Sequence, residues 1–152
     1  MTDVHDKETR SLNMSRIRNK DTKHELIVRQ FLHSKGYRYR LHLKTLPGKP
    51  DIVFPKKKIA IFMNGCFFHR HENCPKSAIS KTQEKFWKDK IDLNVLRDNR
   101  NQNKLKELNW EVIVIWECEI EPRKKKSHVR EMTLQSLISK IDKIINIDDT
   151  CY

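Results

Sequence analysis

Residues 50–65 read "PDIVFPKKKIAIFMNG", and the fold turns on how this stretch is read. Its two apolar runs, "DIVF" at 51–54 and "IAIFM" at 59–63, are split by "PKKK". Runs this short, rich in Ile, Val and Phe and bounded by Pro and Gly, are buried strands, and the polar break between them makes a hairpin at the centre of a sheet.

The flanking segments extend that reading in both directions. Upstream, "TLPGKP" at 45–50 is a turn, with Pro47 and Gly48 suited to chain reversal. Before it, "YRYRLHLK" at 37–44 alternates, with Tyr37, Tyr39, Leu41 and Leu43 on one side and basic residues and His42 on the other. That is the pattern of a half-buried strand. "DTKHELIVRQFLHSKG" at 21–36 predicts a helix: Thr22 and Glu25 have capping-box spacing, Leu26, Ile27, Phe31 and Leu32 form an apolar face, and Gly36 ends it. Downstream, residues 80–109 are helical in pattern, as one helix or two, with Leu93, Leu96, Leu105 and Leu108. "WEVIVIWE" at 110–117 is another buried strand, and "TLQSLISKIDKII" at 133–145 a last amphipathic helix. Helix, three strands, helix, strand, helix predicts an α/β domain with a mixed sheet covered on both faces.

Bulk composition narrows the function. A chain of 152 residues is one domain by size. With 32 basic against 20 acidic residues the net charge is +12, a field that attracts polyanions, nucleic acid above all. No apolar run is long enough to span a membrane, and "MTDVHDKETRS" lacks the apolar core of a signal peptide, so a cytoplasmic protein with no membrane partner is expected. In that compartment the 4 cysteines point to metal binding or reactivity rather than disulfides.

Residues 64–74, "NGCFFHRHENC", concentrate the chemistry. Cys66, His71 and Cys74 lie in one loop and Cys118 follows the strand "VIVIW", a Cys₃His set suited to tetrahedral zinc that would fasten the loop to the sheet. His69 competes for the histidine place, and Cys118 also fits as a small buried apolar residue. A zinc closed by four protein ligands is structural. His69 is then free to take a proton from water. Asp51 at the start of a central strand can hold Mg²⁺, and Glu25 is a second carboxylate. Each also has a plain role: Glu25 in its capping box, Asp51 in the turn, His69 bonding backbone. As a set on a basic protein they point to metal-assisted phosphodiester cleavage.

The stretches "DVHDKETRSLNM", "LPGKPDIVF", "IFMNGCFFHRHENC", "FWKDKIDLNVLRDNR" and "LNWEVIVIWECE" resemble, in register over residues 3–121, the very-short-patch repair (Vsr) endonucleases. The resemblance implies a restriction-endonuclease-like fold over residues 22–152, preceded by a basic DNA-contacting arm at 1–21. It implies Mg²⁺-dependent nicking of the T-bearing strand at T:G mismatches in double-stranded DNA, which arise when 5-methylcytosine deaminates. Functional links to a cytosine-5 DNA methyltransferase and to mismatch-repair and repair-polymerase partners follow. The alternatives are a restriction-like nuclease of other specificity and a non-catalytic zinc-stabilised DNA-binding domain.

Residue by residue, Asp51 matches the family's catalytic Mg²⁺-binding aspartate, His69 its general base and Glu25 its helix carboxylate. Cys66, His71, Cys74 and Cys118 match its structural zinc ligands. Phe67, Phe68 and Trp87 match side chains that wedge into the base stack, Met14 an insertion from the other groove, and Lys90 and Asn94 positions near the mismatched bases. Unstacking bases calls for such flat apolar groups. This chain also departs from the pattern. Met63 and Asn64 stand where threonine and histidine are frequent; a backbone carbonyl at Met63 still offers a metal ligand, but Asn64 carries no proton to transfer. Phe68 replaces a frequent tryptophan, with less stacking area and no indole donor. Of the related PD-(D/E)-x-K pattern only Pro50 and Asp51 are present, so His69 serves where lysine serves in relatives.

Overall fold

The computed structural model describes residues 21–79, 81–122 and 126–149. Helix α1 (Lys23–Ser34) is followed by β1 (Arg40–Leu41), β2 (Ile52–Phe54), β3 (Ile59–Asn64), α2 (Glu84–Glu107), β4 (Glu111–Trp116), a short α3 (Glu117–Ile120) and α4 (His128–Asp149). The strands form one sheet in the order β1-β2-β3-β4, antiparallel except for the parallel β3/β4 pair. This is the mixed sheet with flanking helices that the hairpin reading predicts.

The central hairpin pairs Ile52 with Ile61 and Phe54 with Ile59, and Lys58 turns it with a φ of 53°. Every residue of β2 is buried, as expected of a strand covered on both faces. Alternation sorts the side chains. Ile52, Phe54, Ile59, Ile61 and Met63 join Val28 and Leu32 of α1 and Leu134, Leu137 and Ile141 of α4 in the main core. Burying each such residue contributes about 1.5–3 kcal/mol.

Several expectations change in the structure. The strand expected over 37–44 shrinks to Arg40–Leu41, because His42 takes a left-handed φ of 47° and ends the pairing. Tyr37 and Tyr39 nonetheless pack edge-on against Phe54, at 6.1 and 6.3 Å, so the alternation reported burial rather than a long ladder. The Thr22–Glu25 capping box does not form: Thr22 makes no side-chain cap bond, and Glu25 accepts from the amide of Asp21 at 3.2 Å. Residues 84–107 are one helix, which buries Ile91 and Leu105 but leaves Leu93 and Leu96 67% and 66% exposed. Ile91 and Leu105 lie about four turns apart on one face, whereas Leu93 and Leu96 point the other way. Leu108, just past that helix, is likewise exposed. Among the described residues no helix is long and apolar enough to cross a membrane.

Candidate active site and metal centre

The hairpin opens at the end where the chemistry-bearing residues gather. Pairing of β2 with β3 stops at Ile52 and Ile61, and Asp51 lies just beyond. There its Oδ2 accepts the Met63 N–H at 2.7 Å, in place of a ladder partner. The N–H and C=O of one strand residue face the same edge, so the Met63 carbonyl lies on the Asp51 side as well. Burial pushes the Asp51 carboxyl up to about 7; the nearby Glu25 charge adds to this, while the Met63 amide and His42 oppose it. A carboxylate this reluctant to ionise is a site short of positive charge, which fits a hard divalent cation held by Asp51 and the Met63 carbonyl.

Glu25 reaches the same region from α1, on the other side of the sheet, and its side chain is 1% exposed. Both its oxygens are engaged. His42 Nε2 lies 3.1 and 3.2 Å from them, and Arg29 donates to Oε2 at 2.9 Å. His42 also ties its own amide to the Asp51 carbonyl at 3.0 Å. The Arg29–Glu25–His42 network therefore braces Asp51 from behind, and Glu25 does not line the open cleft. His24, buried in the same helix, has its pKa lowered by burial, against the pull of Glu117, Glu121, Glu25 and the Met63 carbonyl.

In front of Asp51 is a cleft of about 560 Å³ lined by Lys49, Asp51, Met63, Asn64, His69 and Asp98, among others. His69 Nδ1 lies 2.5 Å from Asp98 Oδ2 on α2. That contact leaves Nε2 as the nitrogen able to act on a proton and fixes the tautomer that does so. Sequence reasoning missed Asp98, although the spacing Trp87, Ile91, Asn94, Asp98 places it on the inner face of the helix.

His71, two residues on, belongs to a separate cluster. Its Nδ1 lies 3.6 Å from Cys66 Sγ and 3.3 Å from Cys118 Sγ, and Cys74 completes a set with all ligand atoms within 4.8 Å of one another. Ligands about 2.0–2.3 Å from a tetrahedral metal lie about 3.3–3.8 Å apart, so the spacing suits one ion. The His71 ring stacks on Trp116 at 4.3 Å, which holds it in place. Burial pushes the Cys66 thiol up to about 12 and raises Cys118 as well. At Cys74 burial is outweighed by the amides of Lys76 and Ser77 and by the neighbouring sulfurs, and the pKa falls. Three thiols and an imidazole converge here, Cys66 buried and the other three half-buried, a donor set suited to a soft dication. Cys118 sits on the short helix α3, a turn the sequence did not announce.

The aromatics cluster on the far side of this loop. Phe67, Phe68 and Trp87 contact one another edge-on with centroids 5.2–6.2 Å apart. Phe86, unflagged by sequence reasoning, adds a further ring 5.2 Å from Trp87 and is 57% exposed. None of the four belongs to the main core. Asn94 donates to the Phe68 carbonyl at 3.1 Å and accepts from Arg97, so it ties the aromatic loop to α2. Lys90 extends over the Trp87 ring at 5.5 Å. Met14 lies outside the described residues.

Comparison with known proteins places the chain in a family. The family described as "DNA mismatch endonuclease Vsr" matches residues 2–76. The type II nicking enzyme V.NmeAIP of Neisseria meningitidis serogroup A is 43% identical over 141 residues, 93% of this chain and 97% of the relative. The Escherichia coli K12 DNA mismatch endonuclease Vsr is 42% identical over 82% of this chain and 80% of its own. The chain belongs to the Vsr family. The type II nicking enzyme V.XorIIP of Xanthomonas oryzae pv. oryzae is 44% identical over 79% of this chain and 88% of its own length. In this Vsr-family chain Asn64 is buried at the cleft, 6% exposed, and offers it a neutral amide.

Proposed function

We propose that the chain is a restriction-endonuclease-like, Mg²⁺-dependent endonuclease that nicks the T-bearing strand at T:G mismatches left by 5-methylcytosine deamination, in partnership with a cytosine-5 DNA methyltransferase. The observation that carries the reading is the juxtaposition, in one cleft, of Asp51 and the Met63 carbonyl with the His69–Asp98 pair, next to an aromatic cluster outside the core. Membership of a family whose relatives are named as nicking and mismatch enzymes supports it.

Asp51 and the Met63 carbonyl would hold Mg²⁺, which when bound offsets charge building on the phosphate and makes a nearby water more acidic. His69 Nε2 takes the proton of the attacking water as its oxygen bonds to phosphorus and the bond to the leaving sugar oxygen breaks. Asp98 stabilises the imidazolium that results. Glu25 keeps Asp51 in place through His42 rather than reaching the phosphate. Cys66, His71, Cys74 and Cys118 would hold a structural zinc, which when bound would fasten the loop carrying His69 to the sheet. Phe67, Phe68 and Trp87 enter the base stack from this loop and α2, with Lys90 and Asn94 near the mismatch. Met14, in the arm at 1–21, reaches the other groove.

The test is single-turnover nicking of T:G and matched T:A duplexes with and without Mg²⁺. Cutting of the T-bearing strand of the T:G duplex alone, and only with Mg²⁺, is expected. Equal cutting of both duplexes, or none, would overturn the reading.

A further inference from the structure

Lys49 sits two residues before Asp51 on a backbone that the fold holds in an uncommon shape. Gly48 and Lys49 both have positive φ, 77° and 49°. A left-handed conformation is unfavourable for lysine and persists only where the surroundings impose it. Here they do. A Cβ on Gly48 would come 3.0 Å from Asn101 Cβ and 3.1 Å from the Phe62 ring, so the loop is pressed between α2 and the sheet. The Lys49 amide closes the turn onto the Leu46 carbonyl at 3.2 Å, and the Asp51 amide bonds the Ile61 carbonyl at 3.0 Å.

Lys49, so placed, lines the cleft of Asp51 and His69, as does Arg97 from α2. A few cations elsewhere are paired, Arg29 with Asp21 and Glu25, Arg70 with Asp92 and Lys76 with Glu117, whereas the cations lining the cleft, Lys44, Lys49 and Arg97, are in no ion pair among the described residues. Among the described residues Lys49 has no carboxylate partner, and Arg97 has only the neutral Asn94 side chain. Nor does the "PD" half-motif supply the following acidic residue and lysine that relatives of this chemistry use. The cleft's cations must therefore come from elsewhere in the chain.

We propose that Lys49, backed by Arg97, forms a phosphate clamp that binds the non-bridging oxygens of the phosphate to be cut. The inference rests on the reading of the cleft as a DNA-cutting site and adds to it a cation that stands before, not after, the Pro50–Asp51 pair. A lysine here acts as a point charge on a preorganised backbone, attracting the phosphate in the ground state and stabilising the extra charge of the transition state.

The experiment compares wild type, Lys49→Ala, Lys49→Arg and a control, Lys56→Ala, at the far end of the hairpin. Each is tested on T:G duplexes in which one neutral methylphosphonate is moved along the cleaved strand. Binding is read without Mg²⁺ over a range of salt, and single-turnover nicking with it. Lys49→Ala should reduce the slope of log affinity against log salt by about 0.9, the value of one phosphate contact. It should lower the nicking rate by about 10²–10³-fold, part of which Lys49→Arg restores. One methylphosphonate position should weaken wild type and leave Lys49→Ala unaffected. Lys56→Ala should match wild type. An unchanged slope, a wild-type nicking rate, or the wild-type response to every methylphosphonate position would overturn the clamp. Wild type binding T:G and T:A duplexes equally would overturn the mismatch reading instead, and the salt slope would still report on Lys49.

Discussion

Replacing Asp51 by Asn should make the Mg²⁺-free protein more stable, and increasingly so as pH rises. Burial lifts the Asp51 carboxyl from an ordinary 3.8 to about 7 in the folded protein. Below about pH 4 the group is protonated whether the chain is folded or not, so it contributes no pH dependence. Between about pH 4 and 7 the unfolded chain ionises first, and the folded state loses up to about 1.4 kcal/mol per pH unit. Above about 7 both states are ionised and the penalty is constant. Summed over that pH range the penalty reaches about 4 kcal/mol as an upper limit, and relaxation around Glu25 and His42 brings the expected value to about 2–4 kcal/mol. Asparagine keeps an oxygen to accept the Met63 N–H and carries no charge. Urea denaturation of wild type and Asp51→Asn at pH 5, 6, 7 and 8, without Mg²⁺, measures the difference directly. The variant's advantage should grow to about pH 7 and then level off, while nicking is lost throughout. A difference that stays flat with pH, or a variant less stable at pH 8, would refute the idea that the site is short of positive charge.

Cys118→Ala should lose zinc and fold poorly, because structural zinc in small sites contributes ~10–16 kcal/mol coupled to folding; metal analysis with circular dichroism checks this, and a fully folded zinc-free wild type would contradict it. His69→Ala should lower nicking by about 10²–10⁴-fold while keeping T:G binding and zinc, with partial recovery at high pH where hydroxide replaces the base. Asp98→Asn should impair the same step and change its pH profile, since Asp98 acts only through His69; a wild-type profile would remove Asp98 from the mechanism. Phe67→Ala and Trp87→Ala should weaken binding of T:G duplexes more than T:A duplexes, measured at two salt concentrations, because basic residues supply most of the affinity common to both.

Much of the site was legible in the sequence because its residue types are scarce and their spacing is local. Cys66, His71 and Cys74 fall within one short loop, and the structure brings Cys118 to them in a set that could hold a metal ion. The choice between His69 and His71 was harder. Two residues apart in one loop, they have equal claim by composition. The structure separates them because Arg70 takes a left-handed φ of 50°, with His71 going to the sulfurs and His69 to Asp98. Asp98 was silent in the sequence for a simple reason: an aspartate on a charged helix resembles any solvated residue until the partner it faces is known.

By itself the sequence determined the hairpin, the mixed sheet and the inventory of reactive groups, since apolar periodicity and residue chemistry are local properties. Tertiary structure alone decided which groups meet. The ending of the β2/β3 ladder frees the Met63 amide for Asp51. Packing of α1 behind the sheet brings Glu25 to His42 beside Asp51, and packing of α2 across its other face brings Asp98 to His69. Glu25 and His42 are 17 residues apart in the chain, and His69 and Asp98 are 29 apart. Local preferences place no constraint on contacts over such separations; they form because each helix has one apolar face to bury, and the polar residues beside that face are carried to wherever it docks.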